Sequence, residues 1–183
     1  DKKRSSIKTK QTSNDLLVID HPTDLAVEAL RSLRTSLNFA MLNAKNNVIV
    51  VSGPSPGIGK SFVSTNLGAV IAQTGKRLLV IDGDMRRGDL QDHLGIQFDI
   101  GLTGYLSGQY QLDEVIQATV LDGMEIIPRG LVAPNPSELL MHHRFTELVN
   151  YASNKYDIVI IDTPPILAVT DPAIIANHTG TTL

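Results

Sequence analysis

Residues Ser52-Gly53-Pro54-Ser55-Pro56-Gly57-Ile58-Gly59-Lys60-Ser61 bring together the residue types that a phosphate group requires. Glycine lets a backbone approach phosphate oxygens without a Cβ in the way. A helix opening at Lys60 would aim unpaired N–H groups and its positive dipole end at one point. The lysine adds a full charge, and a serine hydroxyl in the next position can sit on Mg²⁺. The expected nucleotide contacts are Pro56, Gly57, Ile58, Gly59, Lys60, Ser61 and Phe62. The loop is irregular: the common form has glycine six residues before the lysine, and here that position is Pro54, with Gly53 one step early. The competing reading is a glycine-rich turn with a solvated lysine. A Gly-x-Gly-Lys-Ser between a strand and a helix argues against it.

Three carboxylates follow apolar runs. Asp82 and Asp84 end Leu79-Val80-Ile81-Asp82-Gly83-Asp84, and Asp162 sits in Val159-Ile160-Ile161-Asp162-Thr163-Pro164-Pro165. A single Asp after a strand is most often a cap or turn former. Carboxylates at a strand end can also hold Mg²⁺, directly or through its waters, and one can accept a proton from an attacking hydroxyl. Three of them with a phosphate loop point to metal-assisted phosphoryl chemistry. Thr163-Pro164-Pro165 makes a rigid exit from the strand, or plain turn chemistry.

These groups must be positioned by an α/β fold. Val48–Ser52, Arg77–Asp82, Met124–Pro128 and Asp157–Asp162 read as strands. Helices are expected over Pro22–Ala44, Lys60–Gln73, Asn135–Asn154 and Asp171–His178. Pro22 suits a first helical turn. Asn135, Pro136 and Glu138 read as a cap, a first turn and a capping box. Residues 85–123 read as short helices and loops. Strands apolar on both faces, separated by helices, imply a mostly parallel sheet flanked by helices on both faces, like that of P-loop NTPases. Ligands in such folds sit at the carboxyl ends of the strands.

Composition narrows the class. At 183 residues the chain suits one domain, and 42% hydrophobic with 19% charged residues suits a globular one. A net charge of −3 and an aromatic content of 4% offer neither bulk attraction to nucleic acid nor a base-stacking platform. Without cysteine there is no thiol or disulfide chemistry. Residues 1–20 read as a basic linker, with Lys2, Lys3, Arg4, Lys8 and Lys10 suited either to solvent or to an anionic lipid surface beside a membrane span. Gly180–Leu183 reads as the lead into a further strand. The five histidines show no metal-ligand spacing. Glu28 and Arg31 lie nearly opposite the helix face of Leu30, Leu33 and Leu37, and by spacing alone the run Glu28, Arg31 and Arg34 is a solvated face with a weak ion pair.

Assembled, the loop, the Asp82-Gly83-Asp84-Met85-Arg86 stretch, Asp162-Thr163-Pro164-Pro165, and Arg129-Gly130 followed by Pro134-Asn135-Pro136-Ser137-Glu138 resemble the cytoplasmic kinase domain of bacterial tyrosine kinases (BY-kinases). The likeness is to the Wzc-like subgroup, which is fused to a membrane polysaccharide co-polymerase. It runs from about His21 to the end. It implies ATP-dependent phosphorylation of tyrosines on neighbouring subunits, governing capsule or exopolysaccharide export at the cytoplasmic side of the inner membrane. By that likeness Lys60 holds phosphate, Ser61, Asp84 and Asp162 serve Mg²⁺, and Asp82 orients or deprotonates the tyrosine hydroxyl. Glu28, Arg31 and Arg34 become a ring-assembly motif, Tyr105 a regulatory phosphorylation site, and Arg144 its charge partner. A cognate tyrosine phosphatase is implied, as are a tyrosine-rich tail and a further strand and helix after Leu183. Two other readings compete. A partitioning-type ATPase would carry a lysine where the loop has Ser55. A non-catalytic assembly module would not need Lys60 and all three aspartates.

Overall fold

The computed structural model describes residues 16–183, so the basic residues Lys2–Lys10 lie outside it. The apolar runs form the sheet. Its strands are β1 (Val48–Val51), β2 (Leu78–Asp82), β3 (Gln117–Ala118), β4 (Met124–Ile127), β5 (Ile158–Asp162) and β6 (Thr181–Thr182). Their spatial order is β3-β4-β2-β5-β1-β6, with β3 antiparallel to β4 and the other pairs parallel. Asp82 lies beside Asp162 in the β2–β5 register, and Val51 lies beside Asp162 on the other flank.

Side chains alternate across each strand, so the central strands feed two cores. One face gives Ile49, Val51, Leu78, Val80, Ile158 and Ile160 to a core completed by α1 (Leu17–Asp20), α2 (Leu25–Ala40, extended by a 3₁₀ turn Met41–Asn43), α3 (Lys60–Ala72) and α4 (Leu90–Leu94). The opposite face gives Val48, Val50, Leu79, Ile81, Val159 and Ile161 to α5 (Leu102–Leu106), α6 (Leu112–Val115), α7 (Pro136–Met141), α8 (His143–Lys155) and α9 (Asp171–Ala176). By the same alternation Asp82 and Asp162 share the face that carries α3. That helix is buried from Ser64 to Ala72, because it lies between the sheet and α2.

Several boundaries differ from the expectation. Leu16 and Val18 are buried in the first core, so the folded unit includes residues assigned to the linker. Pro22 lies ahead of α2, which starts where the Asp24 side chain accepts from the Ala26 N–H at 2.8 Å. The expected helix over 135–154 is two helices, with His142 extended between them. Leu140 and Phe145 are both buried, yet five residues apart on one helix they would point about 140° apart. The break lets both turn inward. Asn135 forms no backbone cap; its amide donates to Glu138 Oε2 at 2.8 Å. Gly180–Leu183 does not merely lead into a strand, for Thr181–Thr182 already pair with β1.

Asn47 ties the start of β1 to the α8–β5 connection. Its Nδ2 donates to the carbonyls of Ser153, Tyr156 and Asp157, and its Oδ1 accepts from Ser153 Oγ at 2.6 Å. Asn47→Ala orphans these carbonyls and should cost about 1–3 kcal/mol. A urea midpoint equal to the parent's would contradict this account of the tie.

Candidate functional site

The loop after β1 is shaped by its glycines. Gly57 and Gly59 have φ of +72° and +91°, which side chains with a Cβ rarely adopt. Gly59 caps α3, and no side chain caps that helix's N-terminus, so its first N–H groups are left for a ligand. The early Gly53 also has a reason. A Cβ there would lie 2.3 Å from Ile58 Cδ1 and 3.2 Å from Lys60 Cδ, so glycine lets these two side chains lie directly over the loop's start. The exit of β5 closes the other side. Ile166 N–H donates to Gly53 C=O at 2.9 Å, and Thr163 Oγ1 donates to Val51 C=O at 2.9 Å.

Asp162 is buried at the end of β5. Its Oδ2 accepts from Ser61 Oγ at 3.0 Å and its Oδ1 from Ser64 Oγ at 2.8 Å. Burial pushes its pKa up to about 6, against the pull of the Ser64 and Ser61 hydroxyls and the Lys60 charge. The Ser61 hydroxyl gives its one hydrogen to Asp162, which leaves its lone pairs for a cation. The donor set therefore suits a hard cation held by Ser61, with Asp162 behind it.

Asp82 is fully buried. Its two carboxylate oxygens accept from the Asp84 N–H at 3.1 Å and the Leu90 N–H at 3.3 Å. Burial, with Asp162 beside it, raises its pKa well above the ordinary carboxylate value. Gly88 lies directly over it, and a Cβ at that glycine would sit 2.2 Å from Asp82 Oδ1. Asp84 is half-buried, and its Oδ1 accepts from the Arg86 and Arg87 N–H groups at 3.1 and 2.9 Å.

These elements surround a cavity of about 460 Å³ at the carboxyl edge of the sheet. Pro56, Gly57, Lys60, Ser61 and Asp84 line it, opposite an apolar wall that includes Pro164 and Pro165. The site thus assembles from the loop, the β2 exit and the β5 exit, as the strand ends indicated. Asp82 does not line the cavity, and an approach to it is blocked by the turn through Gly88. Nor do two side chains expected at the nucleotide: Ile58 folds over Gly53, and Phe62 lines a separate hollow with Leu17, Asp20 and His21. Among the described residues no group of three His, Asp or Glu side chains is placed to hold a metal by itself. Arg86, Arg87 and Asp89 also line the cavity. The doubled arginine two residues after Asp84 was the available signal for the first two.

The remaining expected residues lie elsewhere. Glu28 pairs with Arg31 along α2, and Arg34 reaches across to the Val70 carbonyl at 3.0 Å. Tyr105 is buried, and its hydroxyl donates to the Arg144 carbonyl at 3.1 Å. The Arg144 guanidinium lies 4.5 Å from the Tyr105 ring centre and donates to the Tyr105 carbonyl at 2.7 Å. Burial raises the Tyr105 pKa, while Arg144 lowers it. No helix of the described residues is long and apolar enough to cross a membrane.

A family model described as an AAA domain matches residues 46–178. The tyrosine-protein kinase Wzc of Salmonella typhimurium is 53% identical over 187 residues, covering 100% of this chain and 26% of that protein. A putative tyrosine-protein kinase in the cps region of Klebsiella pneumoniae is 55% identical over 168 residues, covering 92% of this chain and 23% of that protein. The chain thus spans about a quarter of the length of these relatives. The solved kinase domain of the Escherichia coli tyrosine kinase ETK superposes with a TM-score of 0.89 at 47% identity, covering 91% of this chain and 66% of that one.

The raised Asp162 pKa fixes a pH dependence. The folded, metal-free chain holds this proton more tightly than the unfolded chain, whose ordinary value is 3.8. The stability gained from the group is therefore complete below about pH 4 and lost as pH rises through about 6. Asp162→Asn cannot ionise. Its metal-free melting temperature, taken relative to the parent's, should climb between pH 4.5 and pH 7.5. A difference that stays flat or falls across this range would rule out a buried, ionising Asp162.

Proposed function

The chain belongs to the bacterial tyrosine kinase family, and on that premise we propose that it transfers the terminal phosphoryl group of ATP to tyrosine hydroxyls of neighbouring subunits. The observation that carries the reading is the convergence of Lys60, Ser61 and Asp84 on one cavity, with Asp162 holding Ser61 from behind. Gly57, Gly59 and the first turn of α3 hold the phosphates through backbone N–H groups. Lys60 follows the charge that develops on the transferred group. Mg²⁺ would be held by Ser61, with Asp84 and Asp162 supporting its waters; when bound, it neutralises the phosphate oxygens. Asp82 takes the tyrosine proton. Its raised proton affinity suits that task, and the turn closed by Gly88 has to open for the hydroxyl to reach it.

Assembly is assigned to α2. Glu28, Arg31 and Arg34 share that helix with Leu25, Phe39 and Leu42, all more than two-thirds exposed, a pattern that supports docking of another subunit in a ring. The acceptor is the tyrosine-rich tail of that neighbour. Tyr105 is the regulatory tyrosine. Its phosphorylation would break the hydroxyl's bond to the Arg144 carbonyl and set a phosphate beside the Arg144 guanidinium. A cognate phosphatase reverses these modifications. The domain works on the cytoplasmic side of the inner membrane in capsule or exopolysaccharide export; the Klebsiella pneumoniae relative's naming for a cps region supports that setting.

Incubation with ATP and Mg²⁺ and a tyrosine-rich acceptor should produce phosphotyrosine. Lys60→Met should lower its rate by about 100-fold or more, the scale of removing a charge from a phosphoryl-transfer site. Phosphate release without phosphotyrosine would make the chain an ATPase instead. For assembly, replacing Glu28, Arg31 and Arg34 together by Ala should reduce the mass measured by light scattering. A parent and variant of equal, oligomeric mass would return these residues to a solvated face.

A further inference from the structure

Arg86 is held from four directions. Its N–H donates to Asp84 Oδ1 at 3.1 Å, and its carbonyl accepts from Arg129 NH1 at 3.3 Å. Its Nε donates to Asp171 Oδ2 at 3.2 Å, and its NH2 lies 3.5 Å from Ser137 Oγ. Asp171 Oδ1 accepts from Ser137 Oγ at 2.5 Å. The Asp171 side chain is 0% exposed, whereas that of Arg86 is 41% exposed and lines the cavity. Ser137 and Asp171 stand on α7 and α9, which pack together on the sheet face opposite α3.

This pairing is poorly explained by stability alone. A buried carboxylate facing a half-exposed guanidinium loses its hydration and regains only a screened attraction. It is well explained by position. Arginine carries five N–H donors, and the bonds to Asp171 and Ser137 leave others for a ligand. Strand order places β5 between β1 and β2, so Arg86, after β2, stands across the β5 end from Lys60. A nucleotide whose phosphates rest on Gly57–Ser61 directs its outermost phosphate into that gap.

We propose that Arg86 contacts the terminal phosphate of the bound nucleoside triphosphate, and that Asp171 and Ser137 are positioning residues that set its guanidinium in the cavity wall. The proposal rests on the nucleotide reading above but not on tyrosine being the acceptor. Lys60 and Arg86 then grip the terminal phosphate from two sides, while a diphosphate offers Arg86 nothing to bind. The device distinguishes ATP from ADP before any chemistry.

The test is calorimetric, on the whole 183-residue chain, with adenylyl imidodiphosphate and ADP, each with Mg²⁺. Asp171→Asn keeps the side chain's volume and removes its charge. It and Arg86→Ala should each weaken the triphosphate analogue by about tenfold and ADP by less than about twofold, the scale of one charge-assisted hydrogen bond. The double variant should bind the analogue no more weakly than Arg86→Ala alone, since Asp171 acts through Arg86. Equal losses for both nucleotides, no loss, or multiplying losses in the double variant would overturn the proposal. Should Asp171→Asn fail to fold, Ser137→Ala decides: a selective loss for the analogue supports the positioning role, and an unchanged ratio of affinities overturns it. Failure of the kinase reading shows separately, as a parent that prefers the triphosphate analogue but forms no phosphotyrosine.

Discussion

A carboxylate at the end of a buried strand stays charged only if donors surround it. Asp162 meets that condition with two hydroxyls, Ser61 and Ser64, one helical turn apart on α3. The arrangement fixes how far α3 may slide or rotate over the sheet, and so where its N-terminus points. It also aligns the Ser61 oxygen for a cation. Burial opposes the charge on Asp162, and the bound metal would favour it. The folded chain thus stores a modest penalty at this point that its ligand relieves.

The β2 exit depends on a second buried carboxylate. Asp82 has no hydroxyl partners; it is held by the backbone of the turn that follows it, through Asp84 and Leu90. One residue thereby shapes the turn that presents Asp84, Arg86 and Arg87 to the cavity. Gly88 permits the close cover. The same cover separates Asp82 from the cavity that Lys60 and Ser61 line. Arg86 then connects the site to α7 and α9 through Ser137 and Asp171, so both helix layers contribute to one edge of the sheet.

Much of this was legible along the chain. The runs of β1, β2 and β5 are apolar, apart from the aspartates that close β2 and β5, because both sheet faces are covered, and that pattern needs no knowledge of partners. The loop was legible because Gly57 and Gly59 answer to local backbone geometry, whereas what lies over Gly53 showed only in the fold. The split between α7 and α8 was not. Asn135 to Asn154 has helical composition throughout, and only the need to bury both Leu140 and Phe145 against one sheet breaks it at His142. Residues 85–123 were legible as short helices and loops but not in their bounds, since five-residue helices have too few turns to show a period.

The sequence by itself determined the fold class, the phosphate loop, and the strand ends that bear Asp82, Asp84 and Asp162. Each depends on residue type within a few positions: glycine for left-handed backbone, apolar runs for buried strands, charge where strands stop. Tertiary structure alone decided what those groups face. The pleat put Asp82 and Asp162 on the α3 side, Ser61 and Ser64 claimed one of them, and the turn through Gly88 covered the other. It also paired Arg86 with Asp171, 85 residues away, which no local spacing encodes. Hydrogen bonds and burial depend on neighbours in space, and strand order rather than chain order supplies those neighbours.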